Sequence, residues 1–177
     1  MTDPADDWTL LALAARDGRD LAAVEEFVRA TQGDVWRLCA HLGDRDRADD
    51  LAQDAYVRII KALPSFRGES SVRPWLFSIV RRVVADDIAA RQRARRQPVA
   101  IVEPVPDHQG EVALVSLLDG LDEDRRQAFV LTQLLGCSYA EAAEAAGCPI
   151  GTIRSRVARA REDLMAMVGP LRRTHSA

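Results

Sequence analysis

Four arginines fall within eight residues: Arg154, Arg156, Arg159 and Arg161. A guanidinium is a permanent cation with a planar fork of donors, suited to phosphates and to the major-groove edge of guanine. The neighbouring Thr152, Ser155 and Ala158 are small enough to let a helix approach a groove closely. No comparable grouping supports covalent or metal chemistry. The chain holds three His and three Cys, and Cys39, Cys137 and Cys148 form no CxxC pair. Cys39 and His41 have no further Cys or His cluster beside them, so no metal site is assigned. There is no Gly-rich phosphate loop, no nucleophile elbow and no paired His/Glu motif. We therefore expect no catalytic residues and no cofactor, and thiols that serve as small apolar side chains in a reducing compartment.

The arginines need an element to hold them, and residues 138–162 read as a helix-turn-helix. Ser138 with Glu141 three residues on is a capping box. Ala140, Ala142, Ala143, Ala145 and Ala146 favour helix and permit close approach. Gly147 can adopt the left-handed conformation that ends a helix, and Pro149 fits the first turn of the next one. Ile153, Val157, Ala160 and Leu164 then make an apolar stripe. Ser155, Ala158, Arg159 and Glu162 fall opposite it, with Arg154 and Arg161 along one edge and Arg156 along the other.

A second basic segment lies upstream. Residues 81–96 carry six Arg against two Asp, a net of +4, and residues 150–173 repeat that balance. Between them, residues 103–124 carry seven acids and no Lys or Arg. The overall charge of −3 excludes a uniform basic coat, but two separated basic patches suit two contacts on nucleic acid. Helical periodicity predicts elements over 8–16, 20–42 (weakened by Gly33), 46–63 and 76–96. The helix at 46–63 has two stripes. Leu51, Ala55, Ile59 and Ala62 form one; Asp50, Gln53, Asp54 and Val57 form another that faces elsewhere. Residues 64–75, PSFRGESSVRPW, read as a loop, and Trp75 on its own reads as core. Three prolines make 97–111 a linker. Helices resume over 112–119 and from Asp122. With 47% hydrophobic residues and no convincing strand, the fold class is all-α. We expect two small, separable helical domains joined by a linker, the C-terminal one containing the helix-turn-helix. The first residues have neither a basic region nor an apolar run, and nothing approaches a membrane span, so a cytoplasmic protein is expected.

Taken together, DDLAQDAYVRIIKAL, RPWLFSIVRRVVADDIAARQR and LDEDRRQAFVLTQLLGCSYAEAAEAAGCPIGTIRSRVARARE, in that order, resemble a bacterial RNA polymerase sigma factor of the extracytoplasmic-function (ECF) type. The resemblance covers residues 20–168. It implies that residues 1–96 are sigma region 2, 97–111 a linker and 112–177 sigma region 4. It implies a function without catalysis: binding RNA polymerase core and directing promoter-specific initiation. Asp50, Gln53, Asp54 and Val57 would meet the β′ clamp helices, and region 4 would sit near the β flap. Ser65, Phe66, Arg67, Ser70, Ser71, Arg73, Trp75, Arg81 and Arg82 would act at the minus-10 element. Thr152, Arg154, Ser155, Ala158 and Arg159 would read the minus-35 duplex. An anti-sigma factor is a further partner that the family admits. The alternative is a stand-alone dimeric helix-turn-helix regulator, which leaves the second basic helix and the Gln53/Val57 stripe without a purpose. A helical interaction protein or enzyme fragment would predict no dependence on DNA at all.

Overall fold

The computed structural model describes residues 4–16, 18, 20–95, 114 and 116–168. The proline-rich segment expected to be a linker lies outside the described residues, as does the C-terminal tail. Among the described residues there are helices and turns and no strand.

The N-terminal unit contains α1 (Pro4–Ala15), α2 (Leu21–Leu42), α3 (Ala48–Ala62) and α4 (Val72–Arg95). Asp20 caps α2 by accepting from the amides of Ala22 and Ala23 at 3.0 and 3.2 Å. Gly33 does not interrupt α2. The helix runs through it because Phe27, Thr31, Val35 and Leu38 are buried on either side. Short 3-10 turns flank α3, at Arg45–Arg47 and Leu63–Ser65. Leu51, Ala55 and Ile59 of α3 are buried against Leu76, Phe77, Val80 and Val84 of α4. Among the described residues of this unit, Thr31 is the one buried hydroxyl. It donates to the Phe27 carbonyl at 2.8 Å and shares a 2.8 Å hydrogen bond with Tyr56, which ties α2 to α3.

One boundary differs from the sequence reading. α4 begins at Val72, not Leu76, so Arg73 and Trp75 are helical. Pro74 lies within the segment read as a loop. As the third residue of α4 it sits where a helix N–H has no intrahelical partner, so its missing donor costs nothing.

In the C-terminal unit residues 116–119 are helical. α5 (Glu123–Phe129) then widens into a π-helical segment, Val130–Leu134, closed by Leu135 N–H donating to the Val130 carbonyl at 3.0 Å. α6 (Tyr139–Ala146) and α7 (Ile150–Val168) complete it. Ala142, Ala145, Ile153, Val157 and Ala160 pack with Leu118, Leu131 and Leu135.

The two units are not apart. α6 and the π-helical segment lie against α4 and α2, and the buried residues of both units form one connected cluster. The two helical domains thus meet across a seam. The cause is polar as well as apolar: Arg73 and Arg81 of the N-terminal unit donate to backbone carbonyls of the C-terminal one, and Arg126 donates back to the Leu42 carbonyl, which periodicity cannot reveal.

Candidate nucleic-acid and polymerase interfaces

The helix-turn-helix is built by local chemistry. Ser138 Oγ accepts from the Glu141 amide at 3.2 Å, and Glu141 Oε2 accepts from the Ser138 amide at 2.8 Å. Gly147 closes α6 with φ of 65°, a backbone conformation that suits glycine. The Cys148 amide reaches back to the Ala143 carbonyl at 3.0 Å. α7 starts immediately after Pro149 and buries Ile153, Val157 and Ala160.

That burial sorts the four arginines. Arg156 pairs with Asp124 of α5, and Arg161 donates to Gln133 Oε1 at 2.7 Å. Both serve to hold α7 on its own domain, aided by Arg125 to Asp163 at 2.6 Å. Arg154 and Arg159 are exposed, and neither has an ion-pair or hydrogen-bond partner among the described residues. Ser155 and Ala158 are exposed beside them and Thr152 is half-buried at the start of the helix. A face with two unspent guanidiniums between small side chains has the shape and charge to enter a major groove.

The minus-10 candidates are divided differently from the sequence expectation. Ser65, Arg67, Ser70 and Arg82 are exposed, and Ser71 and Trp75 are half-buried. Phe66 is buried, with its ring centroid 5.2 Å from that of Trp75, and supports the loop from within. Arg73 and Arg81 are also drawn inward. Arg73 is 15% exposed. It stacks on Trp8 and Phe77 at 5.5 and 5.7 Å, and donates to the Leu135 and Gly136 carbonyls of the other unit. Arg81 donates to the Ala145 carbonyl at 2.6 Å, at the carbonyl end of α6, where a cation is favoured. Its burial pulls its pKa below the ordinary arginine value. Ser70 reaches Glu144 at 3.5 Å. In this arrangement the seam between the units occupies part of the surface that the sequence assigned to DNA.

Asp50, Gln53, Asp54 and Val57 are all exposed along one side of α3, and Val57 is 47% exposed despite being apolar. Beside them is a groove between α2 and α3, lined by Val28, Trp36, Asp49, Ala52, Gln53 and Tyr56. Trp36 Nε1 donates to Asp49 Oδ1 at 2.9 Å across its rim. Sequence reasoning missed Trp36. Its signal was an aromatic residue in α2 between the buried Val35 and the exposed Arg37.

Two sequence families match this chain: sigma-70 region 2 over residues 27–94 and sigma-70 region 4 over residues 111–164. The chain is also 45% identical over 173 residues to the ECF RNA polymerase sigma factor SigC of Mycobacterium tuberculosis, spanning 92% of this chain and 91% of SigC. The chain belongs to the ECF-type sigma factors. Two solved structures share that fold. RpoE of Bartonella quintana, in co-crystal with the anti-sigma factor NepR, gives a TM-score of 0.74 at 29% identity, over 82% of this chain and 96% of that one. CnrH, in complex with the cytosolic domain of CnrY, gives 0.73 at 29% identity, over 90% and 96%. As a sigma factor the chain binds RNA polymerase and promoter DNA; the stand-alone regulator is not favoured. No helix among the described residues is long and apolar enough to cross a membrane.

Proposed function

We propose that this ECF sigma factor acts without chemistry of its own, in the cytoplasm, by dividing promoter recognition between its two helical units. α7 reads the minus-35 duplex with Arg154, Ser155, Ala158 and Arg159, and Thr152 at the entry. The exposed loop residues Ser65, Arg67, Ser70 and Ser71, with Trp75 and Arg82 of α4, act on the minus-10 strand. Arg73 and Arg81 join them once the seam opens, because a guanidinium hydrogen-bonded to a carbonyl of the other unit is not free for a phosphate. Asp50, Gln53, Asp54 and Val57 dock on the β′ clamp helices. An anti-sigma factor, the kind of partner with which RpoE was crystallised, is the class of regulator this reading admits.

The observation that carries the proposal is the sorting of α7: Arg156 and Arg161 are paired within the domain, whereas Arg154 and Arg159 are exposed without a partner among the described residues. Arg159→Ala tests it in holoenzyme. We expect a loss of about 1–3 kcal/mol in minus-35 duplex affinity and relaxed preference at one base pair, as for a bidentate base contact. A loss equal on all sequences, with a shallower salt dependence, would reassign Arg159 to phosphate. No loss at all would overturn the face.

A further inference from the structure

We infer that α1 is a positioning element for the minus-10 loop, with Thr9 as its decisive residue. The inference rests on the reading above, in which residues 65–73 act on the opened strand. α1 lies outside the region 2 match, which begins at residue 27, yet it touches the loop at three points.

The amide of Val72, the first residue of α4, donates to Thr9 Oγ1 at 3.0 Å across 63 residues of chain. A helix's first amides have no intrahelical acceptor and are ordinarily capped by a residue just upstream. Here the work is divided. Ser71 Oγ accepts from the Arg73 amide at 3.3 Å, and Thr9 supplies the acceptor for Val72. Four residues on from Thr9, on the same side of α1, is Leu13. Its Cδ2 is 2.8 Å from where a side chain would begin on Gly68, which sits at φ +73°. Any larger residue there would strain the backbone and displace Leu13. Trp8, beside Thr9, lies under the Arg73 guanidinium. The loop is thus fixed at Gly68, Val72 and Arg73 by one turn and a half of α1, with Phe66 on Trp75 fixing its other end. A loop that must present exposed side chains to a splayed strand gains from having its conformation set beforehand, since ordering it on contact would slow opening.

Thr9 acts through the loop and touches no DNA. The test uses the full chain in holoenzyme, with Thr9→Val, Thr9→Ser and the loop reference Arg67→Ala. Opening is followed by permanganate reactivity of unpaired thymines on a duplex promoter and on one premelted at minus-10. Thr9→Val keeps the shape and removes the acceptor. It is expected to slow opening by about 2- to 10-fold, the rate equivalent of one hydrogen bond's net contribution. The premelted template should restore the rate, Thr9→Ser should behave as the parent, and minus-35 duplex binding should not change. Amide exchange at Val72 should quicken in Thr9→Val alone. Should Thr9→Val fold poorly, Leu13→Ala, which leaves the hydrogen bond in place and loosens Gly68, should give the same rescue by premelting. If Thr9→Val opens at the parental rate while Arg67→Ala is slow, the role of α1 is overturned and the loop assignment stands. If neither variant slows opening, both fall.

Discussion

At the scale of single residues, the arginines show what residue type can and cannot announce. The density of Arg154, Arg156, Arg159 and Arg161 was visible in the sequence, and so was its meaning for DNA. Which two were free was not visible, because Asp124 and Gln133, the partners of Arg156 and Arg161, sit 32 and 28 residues away. That Phe66 and Arg73 turn inward was hidden for the same reason. A loop composition of Pro, Ser, Gly and Arg says nothing about which side chains turn inward. The buried titratable groups carry a prediction about pH. Burial pushes the Cys39 and Cys137 thiols from 9.0 up to about 12, and the Tyr56 hydroxyl from 10.0 up to about 12. The protonated forms are the ones the fold holds. The unfolded chain releases these protons near 9 and 10 while the folded chain keeps them. Their contribution to stability is therefore full below pH 9 and is lost as pH rises toward 12. Denaturant midpoints should fall steadily across that window, and Cys39→Ser with Cys137→Ser should flatten the slope. An unchanged slope would show that other groups govern alkaline unfolding.

Elements were more legible than residues. The capping box at Ser138 and Glu141, the left-handed Gly147 and the two stripes of α3 could all be read, because each depends on neighbours three or four positions away. The start of α4 could not, since its first amide is capped from α1. Nor could the π-helical widening at Val130–Leu134, which no local residue marks. The exposed stripe of α3 yields an element-scale prediction. Asp50, Gln53 and Asp54 have no hydrogen-bond or ion-pair partner among the described residues, so nothing in the fold depends on them. Gln53→Ala with Asp54→Ala should leave the melting temperature within the shift expected of surface changes, about 0.5 kcal/mol. It should weaken binding to polymerase core in a direct titration. Unaltered core binding would remove this stripe from the interface.

For the whole molecule, the relation between the two units matters most. Arg73 and Arg81 reach from the N-terminal unit to carbonyls of the C-terminal one, and Arg126 reaches back to the Leu42 carbonyl at 3.4 Å while pairing with Asp119 at 2.7 Å. Each such bond to a charged donor is worth roughly 1.5–3 kcal/mol when well made. The 3.4 Å contact of Arg126 is weaker than that. Arg126 is outside the proposed DNA and polymerase faces, so Arg126→Ala isolates the seam. It should raise the radius of gyration of the free chain in solution scattering without loss of helicity; an unchanged radius would show that the seam holds without Arg126.

One chain is proposed to supply two different promoter contacts to RNA polymerase. This proposal is tested most directly by transcription in vitro from a library of genomic fragments, with polymerase core in the presence and absence of this protein, and with start sites mapped. Starts should require the protein and share two dissimilar boxes, centred near minus-35 and minus-10. Arg159→Ala should loosen only the upstream box and Arg67→Ala should slow opening only at the downstream one. Starts that do not depend on the protein, or protection of a symmetric duplex site by the protein without polymerase, would contradict it.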